Sequence, residues 1–123
     1  MKKTLKNIQM LEMITQLKPL LSHRDKIGYA AARNYRILAN SLTEYMAFRN
    51  ALIEKYGETG KDENGQPTAQ ISVNSPKFKM FCEELEPYNN TEHEVELMMA
   101  KYEDAIGCLT GEEILSVDWM LED

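Results

Sequence analysis

Residues 26–56 read KIGYAAARNYRILANSLTEYMAFRNALIEKY. The stretch has no proline, and its one glycine, Gly28, stands near its start. Apolar and aromatic side chains recur at helical spacing: Ile27, Ala31, Leu38, Leu42, Tyr45, Leu52 and Tyr56, with Asn34 and Arg49 filling two turns of the same stripe. That period marks an amphipathic helix. Taken as one helix, it spans roughly 45 Å at about 1.5 Å per residue. A chain of 123 residues cannot enclose such a rod alone, so the other elements are expected to lie along it. The sequence therefore predicts a mainly α fold. One long helix (about 26–56) has three shorter helices packed along it and a minor two-stranded β element (about 70–73 with 94–99).

The flanks supply the shorter elements. Residues 4–18 place Leu5, Ile8, Leu11, Ile14 and Leu17 three or four apart, a first short helix that Pro19 ends. Ser22 or Asp25 can cap the start of the long stretch; Asp25 directly precedes it and also suits its positive end. Gly57 follows Tyr56 and is placed to close the helix in a left-handed conformation. Residues 57–69, GETGKDENGQPTA, carry three Gly, a Pro and the Asn64-Gly65 pair. They read as a flexible loop between a basic N-terminal half and an acidic C-terminal half. Ser75-Pro76 is a helix start, with Phe78, Phe81, Cys82 and Leu85 on one face. Residues 93–101, HEVELMMAK, set Val95, Leu97 and Met99 against Glu94, Glu96 and Met98, a strand pattern with Ile71 and Val73 as candidate partner. A helix through 92–106 is the competing reading, since its residues are strong helix formers. Thr110 with Glu113 three positions on forms a capping box that opens a last helix.

Composition bounds the function classes. One domain is expected at this length. The net charge is −6, but it is unevenly spread. Residues 1–56 carry ten Lys/Arg against four Asp/Glu, and residues 57–123 carry four against sixteen. Such a split fits two halves with complementary fields, or one half facing a charged partner. No apolar run approaches about 18 residues, so no membrane span is expected. The N-terminal MKKTLKNIQMLEMITQL starts basic, but Asn7, Gln9, Glu12 and Gln16 interrupt any signal-peptide core, and a cytoplasmic protein is expected. Cys82 and Cys108 are solitary in apolar-periodic contexts and read as buried thiols rather than a disulfide or metal pair.

Catalytic patterns are absent from the sequence. His23 and His93 lie in no ligand or acid/base spacing, and no phosphate-cradling, CxxC or nucleophile-elbow motif occurs. The segment 61–65 is similar to the start of a calcium loop, but Ile71 stands where the bidentate Glu belongs. No enzyme activity, metal or cofactor is therefore expected. Surfaces remain. Glu94, Glu96, Glu103 and Asp104 lie on the acidic side. Arg33 and Arg36 lie one turn apart near Tyr29 and Tyr35, where arginine beside aromatic rings suits phosphates or bases. The net charge weighs against direct nucleic-acid binding. Met98 is added because an alternating strand cannot bury both Met98 and Met99. These seven residues are the candidate contacts with a partner, which is expected to be another protein, with a homo-oligomer as a further option.

The order of local motifs carries a resemblance. Residues 26–34 read KIGYAAARN, 52–57 LIEKYG, 61–67 KDENGQP, 94–97 EVEL and 109–123 LTGEEILSVDWMLED. Together they resemble a family of small phage and prophage proteins of unknown function, over nearly the whole chain. The shared motifs are caps, turns and helix faces, and none is catalytic. The resemblance implies a phage or prophage protein of the bacterial host cytoplasm or of the virion; the long helix, the uneven charge and the absence of a catalytic pattern point to an accessory protein acting by protein–protein contact, in virion assembly or on a host factor. The alternative is an anti-CRISPR-like inhibitor of a host nucleic-acid-binding defence enzyme, whose acidic C-terminal half mimics nucleic acid.

Overall fold

In the computed structural model, which describes residues 1–61, 64–65 and 67–123, the first element is a strand. Along the chain run β1 (Lys2–Lys6), α1 (Asn7–Leu17), α2 (Lys26–Ser41), α3 (Thr43–Tyr56), β2 (Glu58–Lys61), β3 (Pro67–Gln70) and α4 (Phe78–Asn89). Then follow β4 (Glu92–Glu96), β5 (Ala100–Lys101), α5 (Tyr102–Ala105), α6 (Gly111–Ser116) and β6 (Leu121–Glu122). The fold is mainly α with a minor β component. The chain divides into two units, Met1–Leu42 with Glu92–Asp123, and Thr43–Thr91. The boundaries fall at Leu42 and Thr91, not within 57–69. No helix among the described residues is long and apolar enough to cross a membrane.

The expected single helix over 26–56 is two helices. Helical geometry lapses at Leu42, with φ −93° and ψ 1°. Ser41 and Thr43 flank that residue, and their hydroxyls compete for backbone hydrogen bonds and favour helix ends. Apolar periodicity runs through the lapse and so does not reveal it.

In the unit built from the two ends of the chain, β1 pairs antiparallel with β4, Lys2 opposite Glu96, Thr4 opposite Glu94 and Lys6 opposite Glu92. Residues 92–96 are thus strand, but their partner is β1 rather than 70–73. Val73, offered as a partner residue, is 73% exposed. Lysines facing glutamates across one sheet face are favourable cross-strand pairs, which neither Ile71 nor Val73 supplies. The same pairing removes 4–6 from the expected first helix. The Lys6 N–H donates to Gln9 Oε1 (2.8 Å), and helix begins there. α1 then buries Asn7, Met10, Met13 and Leu17, not the Leu5/Ile8/Leu11/Ile14 stripe. Methionine fills such a core as well as leucine does. α2 buries the stripe expected of it, including Ile27, Ala31, Asn34 and Leu38. Fully burying Ile27 or Leu38 contributes about 1.5–3 kcal/mol each. The chain's C-terminal segment closes this unit. β5 and β6 pair in parallel, and the Trp119 indole N–H donates to Gln16 Oε1 (2.9 Å) on α1. The capping box forms as expected: Thr110 Oγ1 accepts from the Glu113 N–H (3.1 Å), and Glu113 Oε1 accepts from the Thr110 N–H (3.0 Å).

In the second unit α3 and α4 run antiparallel. Tyr45 near the start of α3 donates its hydroxyl proton to Asn89 Oδ1 (2.5 Å), and Tyr56 at its end donates to Glu84 Oε1 (2.8 Å). Phe81 and Leu85 face inward, whereas Cys82 is exposed. Cys108, in the other unit, is exposed as well, so both cysteines are free surface thiols rather than buried ones. Cys82 sits one residue, about 100°, round the helix from Phe81 and off its buried face. α4 starts at Phe78, two residues after the expected Pro76, because Ser75 closes a turn first, accepting from the Phe78 N–H at 3.1 Å. The expected loop 57–69 holds an antiparallel hairpin, β2 with β3, Glu58 opposite Gln70. Gly65, between the two strands, is left-handed with φ +77°. The calcium-loop comparison falls partly on Asp62 and Glu63, outside the described residues. Gly57 is not left-handed. A Cβ there would lie 2.3 Å from the Gln70 carbonyl oxygen and 2.4 Å from that of Ile53, so close approach excludes a side chain.

Candidate interaction surface

The outward face of α2 follows from its inward face. Ile27, Asn34 and Leu38 point to the core. Lys26, Tyr29, Arg33 and Arg36 lie within an arc of roughly 80° on the opposite side, at about 100° per residue. All four are exposed, Tyr29 to 60%. Among the described residues, side-chain ion pairs join Lys2 to Glu94, Lys55 to Glu84, Lys79 to Glu83 and Lys101 to Glu122, and His23 lies against Asp25. Among the described residues none engages Lys26, Arg33 or Arg36.

Asn34 fixes what lies beside that face. It is fully buried, and its amide bonds the Met98 backbone in both directions. Nδ2 donates to the Met98 carbonyl (2.9 Å), and the Met98 N–H donates to Oδ1 (2.7 Å). Nδ2 also lies 3.8 Å from Met120 Sδ. The strand-like segment after β4 is thereby held on α2 as a neighbouring strand would hold it. The Met98 side chain stays 37% exposed. With Tyr29 and Ala30 from α2, and with Met99, Ala100 and Asp104, it lines a cavity of about 330 Å³ whose remaining walls are Lys26 and Lys101.

The sequence-derived candidates separate on this geometry. Arg33 and Arg36 share the α2 face. Met98 and Asp104 meet at the cavity beside it. Glu94 and Glu96 stand elsewhere, on the outer face of β4, where Lys2 Nζ lies 3.8 Å from Glu94 Oε1 and the Met1 amino group 3.3 Å from Glu96 Oε1. Glu103 is exposed on α5. Lys26 and Tyr29 belong with the arginines. The signal for them was present in the 26/29/33/36 spacing, half a helical turn from the apolar stripe. Lys101, which the sequence reading did not single out, joins the cavity while its ammonium is answered by Glu122 (3.6 Å) and the Asp123 carbonyl (3.1 Å).

One polar cluster outside this surface resembles chemistry and is structural. Asp25 caps α2: its Oδ1 accepts from the Gly28 N–H (3.1 Å), and Oδ2 lies 3.6 Å from His23 Nδ1. That backbone hydrogen bond above all holds the Asp25 carboxyl below its ordinary 3.8; desolvation opposes it, and the Cys108 thiol and His23 each add a lesser lowering. The same contact pushes the Cys108 thiol up, first through the hydrogen bond to Asp25 and then through the desolvation that accompanies it. A raised thiol is the opposite of an activated nucleophile. No group of three or more His, Cys, Asp or Glu among the described residues is placed to hold a metal ion. The depressed Asp25 carboxyl makes a pH prediction. A group whose folded pKa is lowered stabilises above its unfolded value and loses that contribution as pH falls through the folded one. The stability gap between wild type and Asp25→Ala should therefore be full above about pH 4 and shrink in more acid solution. Urea unfolding at a series of pH values measures it, and a gap that grows on acidification contradicts the assignment.

Comparison of the chain with protein-family models, curated proteins and solved structures gives no match.

Proposed function

We propose that this chain is a non-enzymatic phage or prophage accessory protein that works by protein–protein contact, in virion assembly or on a host factor, in the bacterial cytoplasm or in the virion. The observation that carries the reading is the α2 face. Three cations and a tyrosine stand in solvent on one face of α2, and none of the three cations has an ion partner among the described residues. Charge left unanswered on a rigid element suits steering and register at an interface more than stability of the free protein. The anti-CRISPR-like alternative draws on the acidic half acting as a nucleic-acid mimic. It has less support, because Glu94 and Glu96 face Lys2 and the Met1 amino group across a sheet.

A tagged pull-down during infection or prophage induction, read by mass spectrometry at low and moderate salt, tests the proposal. Phage structural proteins or a discrete host protein, enriched over an untagged control, are the expected result. A host nuclease or defence complex, lost from Glu94→Lys/Glu96→Lys bait but kept by wild type, would favour the mimic. Recovery of bait alone would overturn both.

A further inference from the structure

Building on the contact-protein reading, we infer that the outer face of α2 and the cavity beside Met98 form one docking site, and that its occupant is an acidic segment of a partner protein carrying an apolar anchor side chain. The two parts adjoin, since Lys26 and Tyr29 belong to both the exposed stripe and the cavity wall. The stripe asks for negative charge at Lys26, Arg33 and Arg36. The cavity asks for an apolar group: Ala30, Met98, Met99 and Ala100 contribute to its lining, about 330 Å³ in volume, and methionines reshape readily around an inserted side chain. Tyr29 stands between the two, with an apolar ring for the anchor and a hydroxyl for the rim.

Spacing makes the occupant short. Tyr29 and Arg36 are seven residues apart, about 10 Å along the helix axis. An extended peptide covers that distance in about three residues. An anchor and its carboxylates therefore fit within one brief segment. Asp104 selects a peptide over nucleic acid. A phosphodiester backbone carries negative charge at every step and would run it past Asp104 on the cavity wall. A peptide places carboxylates over the arginines and an uncharged residue at the cavity.

The test uses the isotope-labelled full chain and short synthetic peptides, followed by backbone amide NMR. One peptide is Asp/Glu-rich around a single Leu, a second has that Leu replaced by Ser, and a third has Lys for every acid. A single-stranded oligonucleotide and unlabelled protein are the remaining probes. The acidic Leu peptide should shift amides over 26–36 and 98–101, and bind more weakly as salt rises. Its affinity should fall about tenfold with Leu→Ser and about tenfold in Arg33→Glu/Arg36→Glu. Both arginines are exposed, so that variant should keep the rest of its spectrum. The inference is overturned if these amides stay still at saturating peptide, or if the oligonucleotide or a second copy of the chain occupies the face more tightly. Pull-down with the same double variant separates this inference from the one it rests on. Unchanged partners sink the docking site and leave the contact protein standing, whereas no partner for either bait sinks the contact reading itself.

Discussion

Asn34→Ala should destabilise the unit formed by Met1–Leu42 and Glu92–Asp123 by about 2–4 kcal/mol. The substitution removes the donor to the Met98 carbonyl and the acceptor of the Met98 N–H together. Two partly buried backbone groups then lose their partners, at about 1–3 kcal/mol for each group left unsatisfied. A void at a fully buried position adds to that. Against a typical total of about 5–15 kcal/mol, the loss is a large share. Asn34→Leu separates the causes. It restores most of the volume but neither hydrogen bond, so it should recover only the cavity part. Met98→Ala should cost far less than Asn34→Ala, because the bonds run to the backbone of residue 98. The chain's single tryptophan, Trp119, lies in the affected unit and donates to Gln16 there, so its fluorescence in a urea titration follows the right transition. If Asn34→Ala and Asn34→Leu both lose less than about 1 kcal/mol, the amide is not what holds residues 97–99 on α2.

That side chain also marks where reading the sequence stops. The 3.6-residue period placed Asn34 correctly on the buried stripe of α2, and it could say nothing of what the amide meets sixty-four residues away. A strand beginning near residue 93, though ending at Glu96 rather than 99, and the Thr110–Glu113 box were legible because alternation and capping are local. The partner of that strand was not. β1 carries only five residues, and its helical and extended readings are equally good until Glu96 and Glu92 stand opposite Lys2 and Lys6. The charge split, basic before residue 57 and acidic after, does not follow the two units. The first unit draws basic residues from one end and acidic residues from the other. On α1 two stripes compete, and the β-branched and leucine one looks stronger on paper than Met10, Met13 and Leu17. The candidate surface was half legible. Arg33 and Arg36 were read as a pair, whereas Lys26 and Tyr29 complete it only when the helix is viewed from the side opposite its core.

Gly28→Ala should run against the usual rule for helices. A glycine inside a helix ordinarily costs about 0.5–1 kcal/mol relative to alanine, so the exchange is expected to stabilise. Here a Cβ would lie 2.0 Å from the His23 carbonyl oxygen and 2.7 Å from its carbon. Both are backbone atoms, so no rotamer change relieves the clash. Either residues 22–25 move away or the first turn of α2 opens, and each course strains the bond by which the Gly28 N–H reaches Asp25 Oδ1. The expected net effect is a loss of about 3 kcal/mol or more, at the upper end of what overpacking produces. Gly111→Ala is the control. It opens α6, and a Cβ there meets nothing within 4 Å, so it should stay within about 0.5 kcal/mol of wild type. Trp119 fluorescence reads both variants. Stabilisation by Gly28→Ala would mean that the 22–25 turn does not close on α2 as described. Lys26 and Tyr29 flank Gly28, so a folded Gly28→Ala chain carries a second expectation. Displacing that turn shifts one end of the cation stripe relative to Arg33 and Arg36, and peptide affinity should fall although no contacting side chain has changed.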